Sequence, residues 1–283
     1  VAAGSAAITY TLPTGCITRA ILTVDPLPLP ITGTPSACLG QAGNLYDATT
    51  GGTWSSASAS IAGIGSLTGT VMGLGVGSSG ITYTIGTGCY TTTIFTVNPL
   101  PAAIVGTTNV CVGSNTTFTD ATSGGTWSSS NTGVATIGST TGIAGGVPVA
   151  GGTVTITYML PTGCIATAPL TVNPLPAAIT GTFTACPGTN ATLSDITAGG
   201  AWTSSNPAIA TIGAGTGVAG GVAAGTVTMT YTLPTGCIAT APFTVNPLPA
   251  AITGTMNVCV GLNTTLSDAT AGGTWLSSNS AVA

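Results

Sequence analysis

The chain has 283 residues and almost no charge: Arg19 is its one basic side chain, Asp25, Asp47, Asp120, Asp195 and Asp268 are its acids, and His is absent. Binding to nucleic acid requires cationic side chains that displace counterions from phosphate, so that class of partner is excluded. A hydrophobic content of 43% with abundant Thr, Val and Ile argues against disorder and for β structure.

The first element in chain order is "VAAGSAAITYTLPTGC" at 1–16, which aligns with "VAAGTVTMTYTLPTGC" at 222–237. The later copy shows its nature best. Val227, Met229, Tyr231 and Leu233 alternate with Thr226, Thr228, Thr230 and Thr232, the period of a half-buried strand. "LPTGC" then supplies a tight turn, and "CIATAPFTV" at 237–245 returns as the last strand.

A proline tract follows the first hairpin: "TVDPLPLPITGT" at 23–34, repeated as "TVNPLPAAIVGT" at 96–107 and "TVNPLPAAITGT" at 171–182 and 244–255. Pro26, Pro28, Pro99, Pro101, Pro174, Pro176, Pro247 and Pro249 read as stiff, extended linkers between domains. Beyond each linker, the remaining expected strands are those of "AAITGT" (177–182), "NATLSDI" (190–196), "GAWTSSN" (200–206) and "AIATIG" (208–213). Six or seven short strands without a helical pattern predict an all-β chain of small sandwiches.

Tryptophans at 54, 127, 202 and 275 recur at steps of 73, 75 and 73, and the acids at 47, 120, 195 and 268 take the same steps. The expected segments are therefore 1–25 (the C-terminal part of a repeat), complete repeats at 26–98, 99–173 and 174–246, and 247–283 (an N-terminal part). That division suggests a piece of a longer array, or else a subunit whose ends neighbours complete. No run of 18 apolar residues is free of breaks, so no membrane span is expected, and no basic-then-apolar signal opens the chain.

Within this frame, "GGTWSSSNTGVATIGSTTGIAGGVPVAGGTVTITY" at 124–158 resembles the bacterial immunoglobulin-like domain, group 2. The resemblance covers every complete repeat and implies tandem Greek-key sandwiches of bacterial surface proteins, adhesins and stalks. It brings no catalytic residues. The paired cysteines and the N-P-L-P linker depart from the plain family pattern.

Trp54, Trp127, Trp202 and Trp275 are expected as core anchors rather than sugar-stacking platforms. Asp47, Asp120, Asp195 and Asp268 are expected to cap their own turns, since a calcium site takes several oxygen ligands and each repeat offers one carboxylate. Asn115, Asn190 and Asn263 open N-x-T sequons, read as polar turn chemistry ahead of a Thr-rich strand in preference to glycan attachment. The outward Thr rows are read as ordinary alternation, not an ice-binding face. No cluster of His, Lys or paired carboxylates supports catalysis, and the cysteines are too widely spaced for zinc, so no enzyme activity, cofactor or metal is expected.

Eight cysteines fall into two series, 16, 89, 164, 237 and 38, 111, 186, 259. Fixed spacing points to disulfides in an oxidising, extracellular setting. Pairing within a repeat (Cys38–Cys89, Cys111–Cys164, Cys186–Cys237, with Cys16 and Cys259 bonded elsewhere) is the leading expectation, because small domains usually close their own bridges. Against it, the two positions lie near opposite ends of a standard sandwich. Pairing between neighbours, Cys38–Cys164 and Cys111–Cys237, or between separate chains, stays open.

The expected function is structural: the repeat shaft of an extracellular fibre or adhesin stalk, with further repeats or copies of itself as partners. The alternative is an adhesive array recognising a glycan or a partner-cell protein. The loops repeat nearly as faithfully as the strands, which fits a spacer better.

Overall fold

The computed structural model describes residues 2–148 and 151–282, and every regular element among them is a β-strand. The chain divides into two compact units. The first gathers Val1–Val110, Asn115–Val147 and Thr153–Thr171; the second gathers Cys111–Ser114, Pro148–Gly152 and Val172–Ala283. Each is a set of small, mainly antiparallel sheets, and the chain is an array of immunoglobulin-like β-sandwich repeats.

The first unit opens with a hairpin of β1 (Gly4–Thr11) and β2 (Ile17–Val24), in register from Gly4 opposite Val24 to Thr11 opposite Ile17. The complete repeat behind it has eight strands: β3 (Thr32–Gly33), β4 (Ser36–Cys38), β5 (Ala42–Tyr46), β6 (Thr53–Ser56), β7 (Ala62–Ile64), β8 (Thr70–Gly73), β9 (Gly77–Thr84) and β10 (Tyr90–Asn98). They form two four-stranded sheets, ordered β3-β5-β8-β7 and β4-β10-β9-β6. Only β4 and β10 run parallel within these sheets, with Asn98 opposite Cys38.

Alternation builds the core. Ser79, Ile81 and Tyr83 of β9 point inward, as do Phe95 and Val97 of β10, and they meet Leu45 and Val71 from the facing sheet together with Trp54 and Ala62. A fully buried side chain of this size contributes about 1.5–3 kcal/mol relative to exposure. This repeat has drifted in sequence ("SASASIAGIG" at 56–65), and the buried Ser79 shows how the drift is tolerated. Its hydroxyl accepts from the Ser58 amide at 2.9 Å and pairs with the Ser56 hydroxyl at 2.9 Å, so no polar group is stranded.

The same pattern continues in the first unit through strands Asn115–Thr119, Thr126–Ser129, Ala135–Ile137 and Ile143–Gly146. The second unit repeats it in full, with sheets that pair Thr180–Gly181, Asn190–Ser194, Val218–Gly221 and Ala210–Ile212 in one order, and Thr184–Ala185, Ile238–Val245, Gly225–Thr232 and Ala201–Ser204 in the other. In Gly225–Thr232, Val227, Met229 and Tyr231 are buried while Thr226 and Thr228 are exposed. Eight strands stand where six or seven are expected. The additions are the short parallel strand Thr184–Ala185 and the glycine-rich Val218–Gly221.

Among the described residues beyond 246, Thr253–Gly254 and Leu266–Ser267 are the strands that pair. Trp275, expected as a core anchor, is 58% exposed. Its counterparts Trp54, Trp127 and Trp202 pack on a tyrosine about 30 residues downstream, and no aromatic ring packs on Trp275 among the described residues.

Candidate functional site: cysteines bridging successive repeats

The hairpin series of cysteines sits where turn chemistry puts it. In "LPTGC" the Gly163 amide donates to the Leu160 carbonyl at 2.9 Å, and the Leu160 amide to the Cys164 carbonyl at 2.9 Å. Gly163 takes φ +84°, a left-handed conformation that favours glycine. Cys164 thus stands immediately before strand Ile165–Asn173, and Cys89 likewise before β10.

The other series sits in an early loop. Cys38 ends β4, the Gln41 amide donates back to its carbonyl at 2.9 Å, and the Leu39 amide donates to the Asn98 carbonyl at 2.9 Å, at the start of the next linker. Two further bonds fix this loop to β8: Gly40 amide to Gly73 carbonyl at 2.8 Å, and Gly73 amide to Gln41 carbonyl at 3.0 Å. In the second unit Gly188, Thr189 and Gly221 repeat both bonds. A Cβ on Gly221 would lie 2.5 Å from the Cys186 carbonyl oxygen, so the glycine makes room for the cysteine loop.

This placement decides the connectivity. Cys38 lies beside the C-terminal end of β10 and Cys89 precedes its first residue, so the strand's length separates them, roughly 30 Å at 3.3 Å per residue. A disulfide spans Cα atoms only about 4.4–6.8 Å apart. The within-repeat pairing Cys38–Cys89, Cys111–Cys164, Cys186–Cys237 is therefore not formed. The bonds are Cys38–Cys164, inside the first unit, and Cys111–Cys237, inside the second, each with Cα atoms 5.6 Å apart. Each joins the early loop of one sequence repeat to the hairpin of the next. Cys164 and Cys237 are 1% exposed. The Cys237 sulfur rests 3.9 Å from the Asn173 carbonyl oxygen, which also accepts from Val112 at 2.9 Å. Cys16, Cys89, Cys186 and Cys259 are free thiols in this structure.

A second constellation holds each linker to the domain that follows it. Asp47, Asp120, Asp195 and Asp268 each accept, at Oδ1, the amide two residues on, from Thr49, Thr122, Thr197 and Thr270, at 2.6–2.7 Å. Backbone donors, not further oxygen ligands, face this oxygen, the geometry of a turn cap. The same threonines accept at Oγ1, at 2.9 Å, the amide immediately after the second linker proline, from Leu29, Ala102, Ala177 and Ala250. Of the linker prolines, Pro28, Pro101 and Pro176 are buried, whereas Pro26, Pro99, Pro174, Pro247 and Pro249 are exposed.

Tyrosines tie these turns to the core, a role the sequence reading misses, since it places Tyr231 only on the apolar face of its strand. Tyr83, Tyr158 and Tyr231 pack on the buried Trp54, Trp127 and Trp202 with ring centroids 4.7, 4.6 and 4.8 Å apart. Each tyrosine hydroxyl donates to the carbonyl of the linker-binding threonine at 2.6–2.7 Å and accepts a glycine amide, from Gly52, Gly125 or Gly200, at 2.8–2.9 Å. Their signal was present: Tyr10, Tyr83, Tyr158 and Tyr231 follow the tryptophans' steps of 73, 75 and 73. Asn115 and Asn190 are exposed and open their strands, each directly after the turn that the Ser114 or Thr189 amide closes onto the Cys111 or Cys186 carbonyl.

No family model and no curated protein matches the chain. Among solved structures it is similar to extracellular cadherin domains 3–6 of protocadherin gamma B2, at 11% identity over 87% of this chain and 84% of that one, with a TM-score of 0.24. It is also similar to a C-terminal 282-residue fragment of intimin in complex with the intimin-binding domain of its translocated receptor (15%, 63% and 60%, TM-score 0.28). A third similarity is to domains 4 and 5 of the S-layer protein SbsC (18%, 58% and 88%, TM-score 0.21). The assignment of sandwich repeats rests on the strand pairings above.

Proposed function

We propose that the chain is the structural shaft of an extracellular bacterial fibre or adhesin stalk, a non-enzymatic array whose units are repeats of the group 2 bacterial immunoglobulin-like type. The observation that carries this reading is the bonding of each early loop to the hairpin of the following repeat, Cys38 to Cys164 and Cys111 to Cys237. A bridge closed within one domain protects that domain alone. A bridge to the neighbour encloses a domain boundary in its loop and limits how far the array lengthens when a sandwich opens, which is a property a spacer uses and a lone binding domain does not need. Disulfides persist in oxidising compartments, which supports the extracellular assignment.

The linkers support the same reading. The buried second proline and the threonine bond just beyond it fix the first three tracts onto the domains they lead into, where a Gly/Ser tract would swing freely. With 2% charged residues, little electrostatic repulsion opposes self-association, so the partners of this shaft are further repeats or copies of itself. Electron microscopy of the native material tests the proposal. Fibres with an axial step of one repeat, about 35–45 Å for strands of this length plus loops, are expected. Monomeric particles that retain a glycan on an array would contradict it and favour an adhesive binding module.

A further inference from the structure

Four thiols are free, and two of them, Cys89 and Cys186, belong to complete repeats. Both already hold the geometry of their bonded counterparts. The Ile85 amide donates to the Cys89 carbonyl at 3.0 Å, as Leu160 and Leu233 do to Cys164 and Cys237 at 2.9 Å. The Cys89 sulfur lies 3.9 Å from the Asp25 carbonyl oxygen, the separation found between the bonded Cys237 and Asn173. Cys186 sits in the same loop as Cys38 and Cys111, with the amide three residues on donating to its carbonyl at 3.0 Å against 2.9 Å in the other two. Burial differs in the hairpin series alone: Cys89 is partly open where the bonded Cys164 and Cys237 are closed, whereas Cys186 is half-buried as the bonded Cys38 and Cys111 are.

The two bonds in the structure obey one rule, early loop of a repeat to hairpin of the next. By that rule Cys89 takes an early-loop cysteine and Cys186 a hairpin cysteine, and every such cysteine in register with them lies outside these residues. We infer that Cys89 and Cys186 are opposite, complementary halves of a covalent joint to further immunoglobulin-like repeats, each accepting the thiol of the other series. This inference rests on the shaft reading and names its linkage. The chemistry balances with a disulfide-bearing oxidant: two thiols lose two protons and two electrons to form the new S–S bond, and the oxidant's disulfide is reduced to two thiols. The partner thiol comes either from a repeat of a longer chain or from another copy.

Thiol blocking with iodoacetamide followed by peptic mapping of the unreduced material tests the inference, on native material and on the 283-residue chain held with oxidised glutathione. In native material, Cys186 linked to a hairpin peptide absent from these 283 residues supports the joint and assigns it to a longer chain. Linkage to the Cys16 or Cys89 peptide supports the joint and assigns it to a second copy; the glutathione-treated chain then shows the same link, and Cys186→Ser loses it while keeping Cys111–Cys237. Recovery of Cys89 and Cys186 as alkylated thiols, or only as glutathione adducts, in native material whose Cys38–Cys164 bond is intact overturns the inference. That result would leave the shaft reading standing, because fibres in the microscope do not depend on it.

Discussion

At the residue scale, one tyrosine hydroxyl per repeat connects core, turn and linker. Tyr231 packs its ring on Trp202, donates to Thr197 and accepts from Gly200. Tyr231→Phe keeps the ring but strands both backbone groups, and leaving a buried donor or acceptor unmet costs about 1–3 kcal/mol. A lower denaturant midpoint and faster hydrogen exchange at the Gly200 amide are expected; an unchanged midpoint would show that the hydroxyl contributes nothing. Gly200→Ala acts on the same contact by sterics, since its Cβ would lie 2.5 Å from the Tyr231 ring and 2.9 Å from the Thr232 carbonyl. It is expected to cost about 1–3 kcal/mol, by thermal or denaturant unfolding, as overpacking does. The second glycine of each "GG" was visible in the sequence, but its reason was not, because a missing side chain shows no sign of what occupies its place.

At the scale of elements, Gly225–Thr232 was legible residue by residue, since strict alternation of Thr with Val, Met and Tyr leaves one reading. Val218–Gly221 was not. Its two glycines have no side chains to alternate, and they are there to admit the Cys186 loop and Asn190. The strand Thr184–Ala185 escaped for another reason: two residues carry no period, and its parallel pairing with Thr244 and Val245 joins positions some 60 apart in sequence. That pairing sets the cysteine connectivity, because it places each early loop at the far end of the last strand from its own hairpin cysteine. The linkers were legible as stiff connections from their prolines. Their attachment depends on a threonine that turn patterns do not single out. Thr197→Val removes the oxygen that accepts from Ala177, so hydrogen exchange at the Ala177 amide is expected to accelerate while the core amides of Gly225–Thr232 keep their protection. Equal exchange in both proteins would mean that the linker is held by something else.

At the scale of the whole molecule, the claim is that successive repeats are covalently coupled so that the array carries tension. The two disulfides overlap: the loop closed by Cys38–Cys164 contains Cys111, and the loop closed by Cys111–Cys237 contains Cys164. In a fully unfolded oxidised chain, the taut path from Cys38 to Cys237 crosses to Cys164, doubles back to Cys111 and crosses again, leaving roughly 190 Å of extensible chain at 3.6 Å per residue. With both bonds reduced, the same two residues are joined by the whole intervening chain, roughly 700 Å. Single-molecule force–extension of the 283-residue chain, before and after reduction, is the most direct test. The account predicts that reduction lengthens the unfolded Cys38-to-Cys237 segment about three- to fourfold; an oxidised chain that extends as far as the reduced one would contradict it.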